Sequence, residues 1–599
     1  MPKEGEIFKK INDELCEWKT QKIRIVEGLS FNQKETLEKI YRFYNSVYRE
    51  GEYDSEGYRK YFFNIVKNPC YVATKAIDFD TKDIHLLTPP GQNPIKTWMA
   101  DRDLKYWMRK EKFGEILNRI FYELPIFGSV VLKVIDNDIY FIDLKNFIVE
   151  QNADWLGGSQ YIIELHYYSP EELRKIGKKL KWENIEETIE TWRETKVPYI
   201  RIIERYGEVP ENWIKDNGDP AKYIYSRIIC YSKESKPAPE RKYEVQTAGY
   251  ILQATSIDFD KEFCYWETHW EKLPGRWLGI GMVERLFDPQ LRMNEEMNLR
   301  VKSSYFSALN IFQTPDETIN KNLLTDVKNG QIIITRAGIT RVPTEERNLS
   351  AFETEHRLWL MNRDELTMTY DVIRGERLPS GTPLGSAILA STMAGSYFDQ
   401  IRENVALDIK DLLTDKIIPN FIKQNGEEHY LKLVGEDLEK WHEWETALEA
   451  EQEKWRFFAQ NRHLPTAFQW NLIKTAIKNK KKKEREKAIQ IPKGYYSDLN
   501  YWLEIEITGE TTDIRIRAAN LQMALQAITV DPTLLTDPTK RKIFAQILEM
   551  GGIRIEDIEL PKAEEEKIPA AIPPKRAGGG VSVPQIPLTP IMGKEATTM

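Results

Sequence analysis

Apolar residues in this 599-residue chain recur in two rhythms, that of a helix and that of a strand, and the switches between them mark its elements. Residues 1–60 read as helical and polar, with Leu37, Ile40, Tyr41, Tyr44 and Val47 at helical spacing. From about 61 to 150 helices give way to strands. In GSVVLKVIDNDIYFIDLKNFIVE (128–150) two apolar runs flank Asp136-Asn137-Asp138, residues that tolerate turn conformations, so a hairpin is expected. A second strand-rich block opens at YIIELHYY (161–168) and runs to about 270. Inside it, SPEELRKIGKKLKW (169–182) predicts a helix with Ser169 as N-cap and Pro170 at the first helical position, where a missing N–H costs nothing.

The middle third carries the longest helical periodicity. Asp288-Pro289 starts a helix that runs unbroken through PQLRMNEEMNLRVKSSYFSALN to about 309. About 21 residues at about 1.5 Å each reach roughly 32 Å. GQIIITRAGITRVP (330–343) reads as a strand pair turning at Ala337-Gly338. A second helix of similar length follows to about 371, with Ser350 and Glu353 spaced as a capping box. In DVIRGERLPSGTPLGSA (371–387), Gly375, Pro379, Gly381, Pro383 and Gly385 exclude regular structure. Thr382-Pro383 then supplies a start for a helix that continues to about 424, and Pro419 is expected to bend or end it.

Residues 434–490 read as helical and strongly charged, and WLEIEITGE (502–510) as strand and turn. Helices are expected at 513–530 and 537–551, the second stopped by Gly551-Gly552. From about 561 the text is rich in Glu, Pro and Gly with almost no aromatics, the composition of a disordered tail. The fold class this predicts is α+β, mainly helical, and the length suggests roughly three to five domains.

Composition narrows the function classes. The chain is 41% hydrophobic with 16 Trp and 28 Tyr, enough to build large cores. A net charge of -8 excludes a surface that grips nucleic acid throughout, because phosphate binding needs clustered Lys and Arg. Cys16, Cys70, Cys230 and Cys264 are too scattered for a disulfide framework or a zinc site and read as reduced thiols made in a cytoplasm. No run of about 18 apolar residues predicts a membrane span, and the charged N-terminus lacks the apolar stretch of a secretory signal.

A screen for catalytic motifs finds none. There is no GxxxxGK[ST] loop and no GxSxG elbow, and none of the seven His residues sits in HExxH. Gly279-Ile280-Gly281 lacks a third glycine and opens no βαβ unit, so it reads as a turn before the helix at 288. No catalytic residue, metal ligand or cofactor site is therefore assigned. The basic run KNKKKKEREK (478–487) has two readings. It either contacts phosphates through Lys480, Lys481, Lys482 and Lys483, or it is a solvated helix end that complements the helix dipole, and the second weighs more. Trp441, Trp444, Leu448 and, less regularly, Trp455 share a helical face, which favours core or subunit packing over base stacking.

What remains is architectural. Two helices of nearly equal length flank a strand-containing insert, and such helices pack as an antiparallel pair from which the insert projects. A Gly/Pro-rich loop and a longer helix follow. This order resembles the portal proteins of tailed double-stranded DNA bacteriophages, the head-tail connectors. GRWLGIGMVERLFDPQLRMNEEMN (275–298) resembles the entry to their first stem helix. EIEITGETTDIRIRAANLQMALQAITVDPTLLTDPTKRKIFAQILEMGGI (504–553) resembles their C-terminal part. YRKYFFNIVKNPCYVATKAIDFD (58–80) and 127–150 resemble their wing core. Each piece alone is weakly specific; the order of all of them, over most of 30–560, is more so.

The resemblance implies an N-terminal helical arm (1–60), a wing (61–287), stem helices at 288–309 and 350–371, and a clip at 310–349. It further implies a tunnel loop and its long helix (372–424), a helical crown (430–560) and the tail (561–599). By the same resemblance the chain forms a homo-oligomeric ring of twelve at one capsid vertex of the virion. It is not an enzyme and has no cofactor. It conducts DNA in packaging and ejection, docks the terminase large subunit and later neck or adaptor proteins, and adjoins major capsid and scaffolding proteins, with no membrane. By position alone, Arg374 and Arg377 fall in the tunnel loop beside passing DNA. Other readings are a neck or tail ring component and a nucleic-acid enzyme with an unrecognised site; an enzyme should show a pocket of convergent polar groups.

Overall fold

The computed structural model describes residues 4–505 apart from 28, 92–93, 136–137, 196, 216–217, 233–248, 309–311, 316–335, 342–348, 371–383, 425–426 and 482–485. The chain divides into two compact units, Met1–Glu510 and Thr511–Met599, and all described residues belong to the first. The helices expected at 513–530 and 537–551, the tail, most of the clip and residues 371–383 of the loop lie outside them. Helix accounts for 53% of the described residues and strand for 21%, so the chain is an α+β protein in which helix predominates.

The N-terminal stretch is less uniformly helical than its periodicity suggests. Helix α1 (Glu4–Thr20) is followed by a small hairpin of β1 (Ile23–Val26) and β2 (Leu29–Phe31), then α2 (Gln33–Tyr44). Asn32 caps α2 by accepting from the Glu35 N–H, and Leu37 and Ile40 are buried as expected. Val47 lies beyond the helix end and is exposed. After an extended segment come α3 (Lys67–Ile77), β3 (Ile84–Leu87), α4 (Pro94–Lys110) and α5 (Phe113–Phe127).

The expected hairpin forms from β4 (Ser129–Ile135) and β5 (Asp138–Phe141), with Ile135 paired to Asp138. Strand β11 (Tyr265–His269) adds to the other edge of β4. A second, five-stranded antiparallel sheet has the order β10-β9-β8-β7-β6. It contains β6 (Phe147–Val149), β7 (Tyr161–Tyr168), β8 (Ile200–Pro210), β9 (Tyr223–Ser232) and β10 (Gly249–Ser256). Side chains alternate across a strand. Ile203, Ile228 and Cys230 therefore meet α1, while Ile202, Ile229 and Tyr231 meet α6 (Pro170–Leu180) and α7 (Ile185–Arg193). Ser169 and Glu172 close the capping box of α6, with Pro170 at its first turn as predicted. One-turn helices α8 (Glu211–Ile214), α9 (Phe259–Glu262) and α10 (Met282–Arg285) complete this half.

Gly279 and Gly281 form the turn expected before the next helix, and their role is steric. Both lie against the backbone of Gly128, which ends α5 in the left-handed conformation, and a side chain on any of the three would strike backbone atoms of the others.

Helix α11 (Phe287–Ala308) matches the predicted first long helix. Beyond it, β12 (Phe312–Gln313) pairs with β13 (Thr340–Arg341). The described part of 330–343 thus pairs back to residue 312; residues 330–335, its expected first strand, lie outside the described residues. Helix α12 (Leu349–Thr367) ends four residues earlier than expected, with Met368 in the left-handed region. Helix α13 (Leu384–Leu412) already includes Gly385, so regular structure resumes inside the segment read as loop. A wide π-turn, Leu413–Ile417, separates it from α14 (Ile418–Gln424). Pro419 has no N–H to offer the Asp415 carbonyl four residues back, which accounts for the break just ahead of it.

The charged region corrects the sequence reading. Helices α15 (Glu436–Asn461) and α16 (Ala467–Lys481) form as expected, but 486–491 is a strand, β15 (Glu486–Ile491), paired antiparallel with β14 (His429–Val434). The final described strand, β16 (Trp502–Ile505), pairs with β3. One apolar core runs through α2, α3, α4, α5, α10, α13, β14 and β16, so residues as far apart as Ile40 and Leu503 share a core.

Candidate functional site

The long helix α11 carries Gln290, Asn294 and Asn298 at four-residue spacing, hence on one face. That face grips the extended segment 61–65 by its backbone. The N–H groups of Tyr61, Phe63 and Ile65 donate to the side-chain oxygens of Asn298 (2.7 Å), Asn294 (2.9 Å) and Gln290 (2.9 Å). Gln290 Nε2 and Asn298 Nδ2 donate back to the Phe63 and Tyr61 carbonyls, at 2.7 and 3.1 Å. One turn further on, Lys302 meets Asp54 at 2.7 Å and Glu56 at 3.2 Å. Alternate residues of this extended segment thus have their backbone groups satisfied by amides from a helix, which fixes α11 in rotation as well as position.

Helices α11 and α12 run antiparallel. Arg285, just ahead of α11, donates to the Leu366 carbonyl near the end of α12, and Arg300 of α11 faces Glu353 near the start of α12 at 3.8 Å, so residue numbers rise along one helix as they fall along the other. Burial, then the nearby Glu355, pushes the Glu296 carboxyl up, and burial followed by Arg300 and Arg363 pushes His356 down. The pair still shows water large apolar side chains, among them Leu299, 53% exposed, and Leu358, 58% exposed. Helix α13 is anchored on β11. Trp266 Nε1 donates to the Asp408 carbonyl at 2.8 Å and Thr268 Oγ1 to its carboxylate at 2.6 Å.

Two of the buried polar clusters bring residues of several chemical types together. In the first, Lys133 of β4 donates to Glu164 of β7 and Glu204 of β8, both at 2.7 Å, joining the two sheets. His166 lies 2.7 Å and Arg227 2.6 Å from Glu204, and Tyr265 donates to Glu164 at 2.8 Å. Burial alone would drive the proton off Lys133, but Glu204 and Glu164 outweigh it and hold the ammonium above its ordinary value. Burial opposes charge on Glu204 too, yet Lys133, His166 and Arg227 hold its carboxyl well below the usual range. Glu164, His166 and Glu204 are close enough to share a metal ion, but the Lys133 ammonium already bridges both carboxylates and does that work as a fixed cation.

In the second cluster Ser129 Oγ lies 2.8 Å from His269 Nδ1, and His269 Nε2 lies 3.2 Å from Glu267. The residue types are those of a nucleophile, a base and an acid. The hydroxyl is fully buried, however, and accepts from the Gly279 N–H, while Glu267 is taken by Trp277 Nε1 and the Leu156 N–H. This arrangement ties β4, β11 and the glycine turn together. A surface hollow of about 410 Å³ beside α1 mixes Glu6, Asp13 and Glu17 with Lys9 and Lys10, without a convergent set of one sign.

Of the residues singled out in the sequence, Arg374, Arg377, Lys482 and Lys483 lie outside the described residues. Lys480 is exposed at the end of α16. Lys481 is buried against Glu445 and Glu449 of α15, at 3.1 and 2.8 Å, so its charge is spent inside the protein. Trp444 packs on Trp98 of α4 with ring centres 5.0 Å apart, and Trp441 borders the core, as packing residues should. Leu448 and Trp455, further along that face, are exposed. The amide ladder of α11 was missed; its signal was the Gln290, Asn294, Asn298 spacing. Among the described residues no helix is long and apolar enough to cross a membrane. No protein-family model matches this chain, and no curated protein matches it.

Proposed function

We propose that the chain is the portal subunit of a tailed-phage head, one of about twelve that ring the vertex through which DNA enters and leaves. The observation that carries this reading is the α11–α12 pair. Two long antiparallel helices stand beside the mixed body, locked to it by the amide ladder, yet keep Leu299 and Leu358 in water. A helix pair with apolar flanks finds its cover in copies of itself on either side, and repetition of such a contact closes a ring.

In this reading the chain between α11 and α12 projects from the ring as the clip and meets the terminase and, later, the neck or adaptor proteins. The loop before α13 hangs into the channel, where Arg374 and Arg377 touch passing phosphates without reading sequence. Twelve copies at -8 each carry about -100, and an acidic wall releases no counterions to phosphate and so does not trap DNA. The subunit turns over no substrate of its own. Native mass spectrometry and negative-stain imaging of the purified chain test the reading. A ring with a central channel is expected; a stable monomer or dimer at micromolar concentration, with no larger species, overturns it.

A further inference from the structure

Helix α4 holds the root of the α15–α16 hairpin through a row of charged residues, Asp101, Arg102, Asp103 and Lys105. Asp101 accepts from the Leu86 N–H of β3 at 2.9 Å and pairs with Lys105. Arg102 pairs with Asp437 of α15 at 2.8 Å. Asp103 is buried and faces β14, where His429 Nε2 lies 2.9 Å from its carboxylate. The Tyr496 hydroxyl, beyond β15, donates to the same oxygen. The hairpin grows directly from β14, with Gly435 between them. It is antiparallel, since Lys481 at the end of α16 meets Glu445 and Glu449, while Lys454 further along α15 lies over the ring of Trp470 near the start of α16.

At His429 the geometry decides the protonation state. Nδ1 lies 3.1 Å from the Glu427 carbonyl and Nε2 2.9 Å from the Asp103 carboxylate, so both ring nitrogens face acceptors. A neutral imidazole carries one N–H and turns a lone pair on one of these oxygens whichever tautomer it takes; only the imidazolium donates to both. Among the described residues no lysine or arginine pairs with Asp103, so the imidazolium is also its counter-ion.

We propose that His429 is a pH-sensitive clasp, which as an imidazolium ties β14 and the hairpin root to α4 and which releases that edge when it loses its proton. Burial opposes the charge, but Asp103 and the Glu427 carbonyl outweigh it and raise the ring above its ordinary value of 6.5. A raised group stabilises fully below the unfolded value and loses that contribution as pH rises through the folded one. The clasp is therefore closed in weak acid and opens in a window above 6.5. Other titratable groups surround it. Burial pushes the hydroxyls of Tyr496 and Tyr495 up, so both remain donors there. Lys96 of α4 lies over Tyr495, Glu428 accepts from Gln490 of β15, and Lys423 of α14 is exposed. His85 of β3, 2.9 Å from Lys105, and His442 of α15, 3.7 Å from Glu445, stand on neighbouring elements.

Hydrogen exchange of the full chain, corrected at each pH for the intrinsic rate of the unfolded peptide, tests the clasp. Protection of the β14 and β15 amides should fall by about tenfold between about pH 5.5 and 8.5, the scale of one hydrogen bond to a charged group, while α1 keeps its protection. His429→Gln still offers one N–H but cannot change charge, and it should remove the fall. Asp103→Asn, with the counter-charge gone and His429 in place, should shift the fall to lower pH. A role in packing alone would lower protection in His429→Gln and leave the fall intact. An unaltered chain whose β14 protection is flat over the window overturns the clasp. So does a His429→Gln profile that falls like its parent's, which would pass the titration to His85 or His442. None of these outcomes bears on the ring reading.

Discussion

The two antiparallel helix pairs of this protein are held in different ways. Helix α11 is gripped along about two turns by the backbone of residues 61–65, through Gln290, Asn294 and Asn298, and its partner α12 closes on it through Arg300. The α15–α16 pair is held at its root, by Trp98 on Trp444 and by lysines on Glu445, and beyond that has its outer faces in water. Where a helix must keep its rotation, the chain spends polar side chains on its own backbone. Where a helix pair ends in bare Trp455 and Phe468, its packing is unfinished among the described residues. The first pair should therefore respond to mutations inside the chain, and the second to whether other copies are present.

The largest expected effect lies in the body that carries both pairs. Lys133→Met leaves Glu164 and Glu204 buried without their shared cation, and breaking a buried pair in this way costs about 3–5 kcal/mol. Urea unfolding of the variant checks this; an unchanged midpoint would mean the two sheets are not clasped there.

A graded effect is expected along the ladder. Gln290 serves a buried N–H, Asn294 a half-buried one and Asn298 an exposed one. Gln290→Ala should cost about 1–3 kcal/mol, with Asn294→Ala and Asn298→Ala progressively less, because an orphaned donor is penalised only where water cannot reach it. Hydrogen exchange at the amides of Ile65, Phe63 and Tyr61 reads each rung directly, and the α15–α16 amides should not change.

Acid separates the regions further. The Glu204 carboxyl is held well below its ordinary value of 4.5 by Lys133 and His166 against the opposing effect of burial. A depressed carboxyl stabilises the fold above the unfolded value, and that contribution is lost as pH falls through the range below about 4.5. Melting temperature should fall over that window, and the fall should shrink in Glu204→Gln, a variant already weakened at neutral pH. A slope that is identical in the variant would remove Glu204 from the account.

Elements with local signatures could be read from the sequence. The β4–β5 hairpin announced itself by two apolar runs either side of Asp136-Asn137-Asp138, α6 by Ser169-Pro170, and α11 by its unbroken helical pattern after Asp288-Pro289. The misread strand β15 and the missed polar contacts share one cause, which is pairing over distance. Strand β15 alternates weakly in EKAIQI but sits beside a lysine-rich helix end, and its partner β14 lies across the whole hairpin. The amide ladder joins residues more than two hundred positions apart, and Lys133, Glu164 and Glu204 come from three strands of two sheets. No window of sequence contains such a contact, although four-residue spacing of amides on a helix was there to be seen.

The smallest effect on a single copy is the one that best sharpens the comparison. Leu448 and Phe468 are exposed among the described residues, so Leu448→Ser and Phe468→Ser remove no packing there. Their effect on unfolding of the dissociated chain should stay within about 0.5 kcal/mol, the usual range for surface changes. If the α15–α16 faces are completed by neighbours, the same two changes should weaken assembly strongly, because each then empties a buried apolar contact in every joint of the ring. Sedimentation across a concentration series separates the two quantities. A double variant that assembles like its parent would leave those faces as ordinary exposed surface. A variant that unfolds more easily even when dissociated would show that the hairpin finishes its packing within one chain.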